Sequence, residues 1–292
     1  LEGLLRFSWH TLREPNRIHS ARWPFGQLAT MSQAGWMMGN PAEDENARAE
    51  QAGLLGGQGA RRDIKEAGAA VRAGFVRKVY GILSAQLVVT VFIAFFIWQE
   101  GKDRAWLRSH EWLLWASIGM VLATICVMTC CQQVCRTYPQ NYIFLFVFTG
   151  FEAILIGFLS AMYTWRSVLL CTGVVAGVFI GLTMYAINTR TDFTGKGPYL
   201  FAFLLVIFVF GIVLAVLPAF DLHITWLNTL YDCLGVLVFS LYIVFDTQLI
   251  LGDWGGHRLG FSIDDYCFAA LNLYMDIVNI FLYLLSLLGE RR

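Results

Sequence analysis

The stretch TWLNTLYDCLGVLVFSLYIVFDTQLILG (residues 225–252), followed after a short polar loop by DYCFAALNLYMDIVNIFLYLLSLLG (residues 265–289), decides how this chain is read. Each segment is long and apolar enough to cross a bilayer core, which takes roughly 20 helical residues. Each nevertheless carries an aspartate well inside it, Asp246 in the first and Asp276 in the second. An ionisable side chain in hydrocarbon costs on the order of 3 kcal/mol on insertion scales, so such residues face a protein interior or a water path and mark function. These two acids are the first candidates for a site.

Working outward, five further apolar runs of spanning length appear at residues 79–98, 112–130, 141–163, 167–188 and 199–220. With Thr225–Leu251 and residues 265–288 they make seven. Across 292 residues, 57% are hydrophobic and 14% charged, with mean hydropathy +0.58, more apolar surface than a soluble domain of this size could bury. The expected fold is an all-α integral membrane protein, a compact bundle of seven transmembrane helices with a polar-striped last helix. Short linkers argue for one bundle over residues 72–292. Residues 1–71 mix Trp, Gly, Arg and Glu without sustained periodicity and are expected to be a mobile cytosolic region, with one short helix near 43–52. No signal peptide is expected, because the first thirty residues lack a continuous apolar core, so the first span would direct insertion.

A net charge of +0 and a pI near 7.1 argue against nucleic acid as a partner. The seven cysteines fall in or beside apolar runs, as reduced thiols in helices do, and do not resemble an exported disulfide framework. Arg77 and Lys78, directly before the first span, favour a cytosolic N-terminus, and seven crossings then place the C-terminus on the other side. A re-entrant last segment would return it to the cytosol.

The last segment spaces Asp265, Asn272, Asp276, Asn279, Tyr283 and Ser286 on one helical face. Such a stripe serves either as interhelical hydrogen-bonding glue or as the wall of a water or ion path. Asp232 stands about four turns from Asp246 on the same side of its helix, at one end of such a path or among the lipid headgroups. Glu152, near the middle of the third run, is either a protonated, hydrogen-bonded acid or part of the same polar core. Glu152, Asp232, Asn272 and Asn279 are thus the candidate path residues beside Asp246 and Asp276. Counted from their shared loop, Asp246 and Asp276 lie at depths that differ by several Å.

Other features carry less. Gly173, Gly177 and Gly181 form GxxxGxxxG, expected to admit a neighbouring backbone closely. Ser262 with Asp265 has the form of a capping box, and Asp264 also suits a helix start. CCQQVC (residues 130–135) lacks zinc-ligand spacing and fits structural thiols or palmitoylation. His257 is expected in a solvated loop. No P-loop supports ATP-driven transport, and YMDIV lacks the GxGD of intramembrane aspartyl proteases, so no enzyme activity is expected. A heptahelical receptor finds no DRY-like or NPxxY-like pattern.

Four ordered motifs, RKVYGILSAQLVVT (77–90), NTRTDFTGKGPYLF (188–201), LYIVFDTQLILG (241–252) and SIDDYCFAALNLYMDIVNIFLYLLSLLG (262–289), resemble the Lifeguard branch of the transmembrane Bax-inhibitor-motif family over residues 72–290. The resemblance implies a seven-helix fold with a central last helix, residence in Golgi or endoplasmic reticulum membranes, a pH-sensitive calcium leak and suppression of programmed cell death. It implies a di-aspartyl pH sensor in the sixth and seventh helices, whose matching positions are Asp246 and Asp276; Asp232 stands where a small residue is expected and receives no role. Two carboxyls close together in low dielectric share a proton. The protonated pair would hold the two helices shut, and its loss would open a path where calcium binds transiently, with no tight metal site and no cofactor. Calcium ions, membrane lipids and apoptotic regulators or death receptors are the expected partners. The alternative is a non-conducting membrane scaffold that restrains cell-death signalling by contact.

Overall fold

A backbone surrounded by lipid finds no water for its amides and must satisfy them internally, which for an open chain means a helix. The computed structural model describes residues 69–130, 137–220, 225–252, 261 and 265–292, and within them every apolar run is helical. The long helices are α1 (Ala69–Glu100), α2 (Glu111–Cys130), α3 (Gln140–Ser160), α4 (Trp165–Asn188), α5 (Gly197–Val216), α6 (Thr225–Leu251) and α7 (Tyr266–Leu288), with a short helix, Arg104–Ser109, between α1 and α2. The helix expected near 43–52, the cysteines at 131 and 135, His257, Ser262 and Asp264 lie outside the described residues.

Six helices, α1 and α3 to α7, are long and apolar enough to cross a membrane, whereas α2 is a shorter apolar helix over Glu111–Val127. The chain is a multi-pass membrane protein. Two helix limits differ most from those read in the sequence. α1 begins at Ala69 rather than residue 79, because Ala, Arg and Lys are good helix formers and the turn that carries them can project past the hydrocarbon. Residues 69–71, assigned by sequence to the N-terminal region, are its first turn. α5 stops at Val216, and the 3₁₀ turn Leu217–Phe220 takes over at a proline that cannot donate to the helical ladder.

Local chemistry sets several ends. The Asp103 side chain accepts from the Ala105 amide at 2.9 Å, and Thr164 Oγ1 accepts from the Ser167 amide at 3.4 Å, opening the short helix and α4. α6 closes on Gly252, whose φ of 66° suits a residue without Cβ. Asp265 occupies the position before α7, but its side chain makes no capping hydrogen bond there, contrary to the capping-box reading.

α7 packs against α1, α3, α4 and α6, and α6 against α1, α4, α5 and α7. These two are the most buried spans, and α4 is the least. Lipid tails are as apolar as leucine, so association rests on close packing and on hydrogen bonds between helices. Such bonds join α1 to α3 (Gln86 Nε2 to Thr149 Oγ1, 2.9 Å), α1 to α7 (Thr90 and Tyr274 hydroxyls, 2.9 Å) and α6 to α7 (Tyr283 and Tyr231 hydroxyls, 3.2 Å). Lys78 adds a cation–π contact, its ammonium 3.4 Å from the centre of the Tyr266 ring.

Beyond α7 the chain clasps the α3–α4 corner. The Thr164 amide donates to Glu290 O (2.9 Å), the Arg292 amide to Met162 O (3.0 Å) and the Glu290 amide to Ser167 Oγ (2.9 Å), around an antiparallel bridge between Tyr163 and Arg291. The Arg292 guanidinium lies 4.7 Å from the Trp98 ring centre, which ties α1 to the same corner.

The glycines correct one expectation. A Cβ added at Gly173, Gly177 or Gly181 would meet nothing within 4 Å, so among the described residues no backbone approaches that stripe, which is exposed. Close approaches occur at other glycines, among them Gly235, where a Cβ would come within 2.5 Å of the Tyr283 ring. Gly235→Ala is expected to displace that ring and cost about 1–3 kcal/mol, as overpacking does, while Gly177→Ala, whose Cβ meets open space, costs nothing and gains up to about 1 kcal/mol of helix propensity. Thermal unfolding of the two variants in detergent checks the contrast.

Candidate functional site

The α6–α7 contact brings the two aspartates together despite the offset counted from the loop. Neither helix is obliged to meet the loop at the same depth, and the packed interface sets the register. Asp246 and Asp276 are each 1% exposed, and their carboxyl groups lie within side-chain hydrogen-bonding reach of each other. The second oxygen of each, Asp246 Oδ1 and Asp276 Oδ2, has no hydrogen-bond partner among the described residues. Tyr242, one turn before Asp246, lies within electrostatic reach of both carboxyls, and its hydroxyl is likewise unpartnered.

The remaining residues named from sequence take different positions. Asn272, one turn before Asp276 on the same face, is buried with both amide atoms unpartnered. Asn279 is buried too, but its Nδ2 donates to Met275 O on its own helix at 2.8 Å. Tyr283 bonds Tyr231. The polar residues of α7 thus engage separate partners. Asp232 is buried and not exposed among headgroups; it stands about four turns from Asp246 on α6. Glu152, also buried, acts electrostatically on Tyr274. Tyr274 is two residues from Asp276 and therefore about 200° around α7, so Glu152 belongs to another side of that helix.

Gln248 was not anticipated. It is buried two residues past Asp246, where its Oε1 accepts from the Phe193 amide at 2.8 Å and its Nε2 donates to Thr191 O at 2.9 Å. One side chain thereby fastens the loop between α4 and α5 to the helix that carries Asp246. Both partners fall in motifs quoted above, FDTQ and NTRTDF, but nothing in either shows that they meet. Tyr242, Gln86, Thr90 and Thr149 were likewise unread, although Gln86 and Thr90 at i,i+4, and Thr149 and Glu152 at i,i+3, repeat on helical faces.

Among the described residues no group of three His, Cys, Asp or Glu side chains could hold a metal ion. The site therefore has the means to share a proton between two acids and to offer a few oxygens, carboxyl and amide, to a passing cation.

The comparisons fit this geometry. Residues 72–292, which contain both aspartates, match the family described as inhibitor of apoptosis-promoting Bax1. The chain belongs to this Bax inhibitor family. It is 35% identical over 222 residues to Protein lifeguard 3 of Homo sapiens, covering 76% of this chain and 70% of that protein, with the same figures for Protein lifeguard 3 of Mus musculus. It is 30% identical over 226 residues to Bax inhibitor 1 of Schizosaccharomyces pombe, covering 77% and 80%. The resemblance read from the four motifs therefore holds for a Bax inhibitor family member of the lifeguard kind.

Gln248→Leu would leave a loop amide and a loop carbonyl without their partner, at a cost of about 1–3 kcal/mol for each buried group. The expected outcome is faster amide hydrogen exchange at Phe193 with little change at Tyr274, read by exchange mass spectrometry on the reconstituted protein.

Proposed function

We propose that this Bax inhibitor family member is a pH-sensitive calcium leak channel of Golgi or endoplasmic reticulum membranes that suppresses apoptosis, gated by Asp246 and Asp276. The observation that carries the reading is that two buried carboxyls come within hydrogen-bonding reach of each other across the α6–α7 interface. Ionised carboxylates only accept hydrogen bonds, so a bond between two of them requires a retained proton. That proton closes the interface. As pH rises and it leaves, two carboxylates at hydrogen-bond distance repel each other, and the same pair becomes an attractive site for a cation. Asp246 Oδ1, Asp276 Oδ2 and the amide oxygen of Asn272 are the acceptors at hand. Calcium takes six to eight oxygens, so a set this small gives brief binding suited to passage rather than storage. The flanking titratable group is Tyr242.

The membrane arrangement belongs to the same proposal. α2 makes a seventh crossing, Arg77 and Lys78 keep the N-terminus cytosolic, and α7 emerges on the opposite side. Restraint of cell death is supported by what the matched family and its relatives are named for, inhibition of Bax-promoted apoptosis.

Calcium flux from proteoliposomes across pH is the test. The wild-type chain is expected to leak more as pH rises through the release of the shared proton. Asp246→Asn and Asp276→Asn, which leave no acid pair to share one, should flatten the profile to within about twofold. A wild-type profile in both variants would overturn the gate, and cell protection that survives both substitutions would favour a contact scaffold.

A further inference from the structure

The side of α7 turned away from the aspartate pair faces a second buried polar centre. Gln86 and Thr90 on α1, Thr149 and Glu152 on α3 and Tyr274 on α7 are all buried there. Gln86 Nε2 donates to Thr149 Oγ1, the Thr90 and Tyr274 hydroxyls lie 2.9 Å apart, and Glu152 follows Thr149 by one turn on the same face of α3, within electrostatic reach of Tyr274, which gathers the five residues where three helices meet. The hydroxyl protons in this group are committed. Thr149 Oγ1 donates to Leu145 O at 2.8 Å and Thr90 Oγ1 to Gln86 O at 2.8 Å, which leaves the Tyr274 proton for Thr90. Acceptors remain: Gln86 Oε1 and Glu152 Oε2 are buried without a partner among the described residues.

A buried group with spare oxygen acceptors and one carboxyl suits a positive charge. The charge should be single, because a divalent ion on one carboxylate would leave a net charge in a dry interior. Neutral hydroxyl and amide oxygens with no nitrogen or sulfur donor suit a hard cation and not a transition metal. We propose that Gln86, Thr90, Thr149, Glu152 and Tyr274 form a site for one alkali-metal ion, on the far side of α7 from Asp246 and Asp276. The site is independent of the calcium reading and stands or falls separately from it.

The test uses the full chain in lipid nanodiscs, melted in sodium or potassium chloride against N-methyl-D-glucamine chloride at equal ionic strength. A ligand that binds the folded state raises the melting temperature with its concentration. The expected result is a saturable rise in one or both alkali salts, absent in Glu152→Gln, with half-saturation moved up by about tenfold or more in Thr90→Val, which loses one oxygen at nearly constant volume. Equal melting in all three salts would overturn the proposal, as would an undiminished alkali effect in Glu152→Gln or, should that variant not fold, in Thr90→Val; Glu152 would then simply keep its own proton.

Discussion

The last helix has no side left for lipid, and the rest of the molecule answers to that constraint. From Ala269 to Ile280 every residue of α7 is buried, so each polar side chain there must find a partner within the protein or carry the full desolvation penalty of its group. Asp276 meets Asp246, Tyr274 meets Thr90, and farther along Tyr283 meets Tyr231. Because burial of apolar surface drives little association inside a bilayer, these polar contacts and close approaches such as Gly235 on Tyr283 fix which helices are neighbours and in what register.

The helices were legible because lipid leaves an apolar run of twenty residues few alternatives, and the span Thr225–Leu251 begins and ends where the sequence says. Their ends were less legible wherever something other than hydrophobicity decides them. Ala, Arg and Lys extend α1 backward from its apolar core, and a proline shortens α5. The glycine triplet of α4 shows a further limit of pattern reading. Spacing says that three small residues share a face, but whether that face meets protein or lipid is decided by the packing of other helices, and here it meets no neighbour.

At the site, the cost of burying an acid picked out Asp246, Asp276 and Glu152 from composition alone. Their pairing was beyond the sequence, since distance from a loop measures depth only along one helix and says nothing about how two helices are offset. Glu152 was correctly seen as buried, yet its neighbours are ordinary residues, a glutamine, two threonines and a tyrosine, that acquire meaning only through their convergence. Gln248 was hidden for the same reason: its partners are backbone atoms of a loop some fifty residues away in the chain.

The clasp between residues 290–292 and the α3–α4 corner divides the bundle into a post and a leaf. α7 is fastened at its far end to that corner, and through Arg292 and Trp98 to α1, so swinging α7 would break backbone hydrogen bonds as well as side-chain contacts. α6 ends instead under Arg72 of α1, whose Nη1 donates to Gly252 O at 3.4 Å, and it carries α5 and, through Gln248, the connecting loop. Any parting of the two carboxyls would therefore have to shift α6 against an α7 held at that corner, with α4, which packs on both, at the joint.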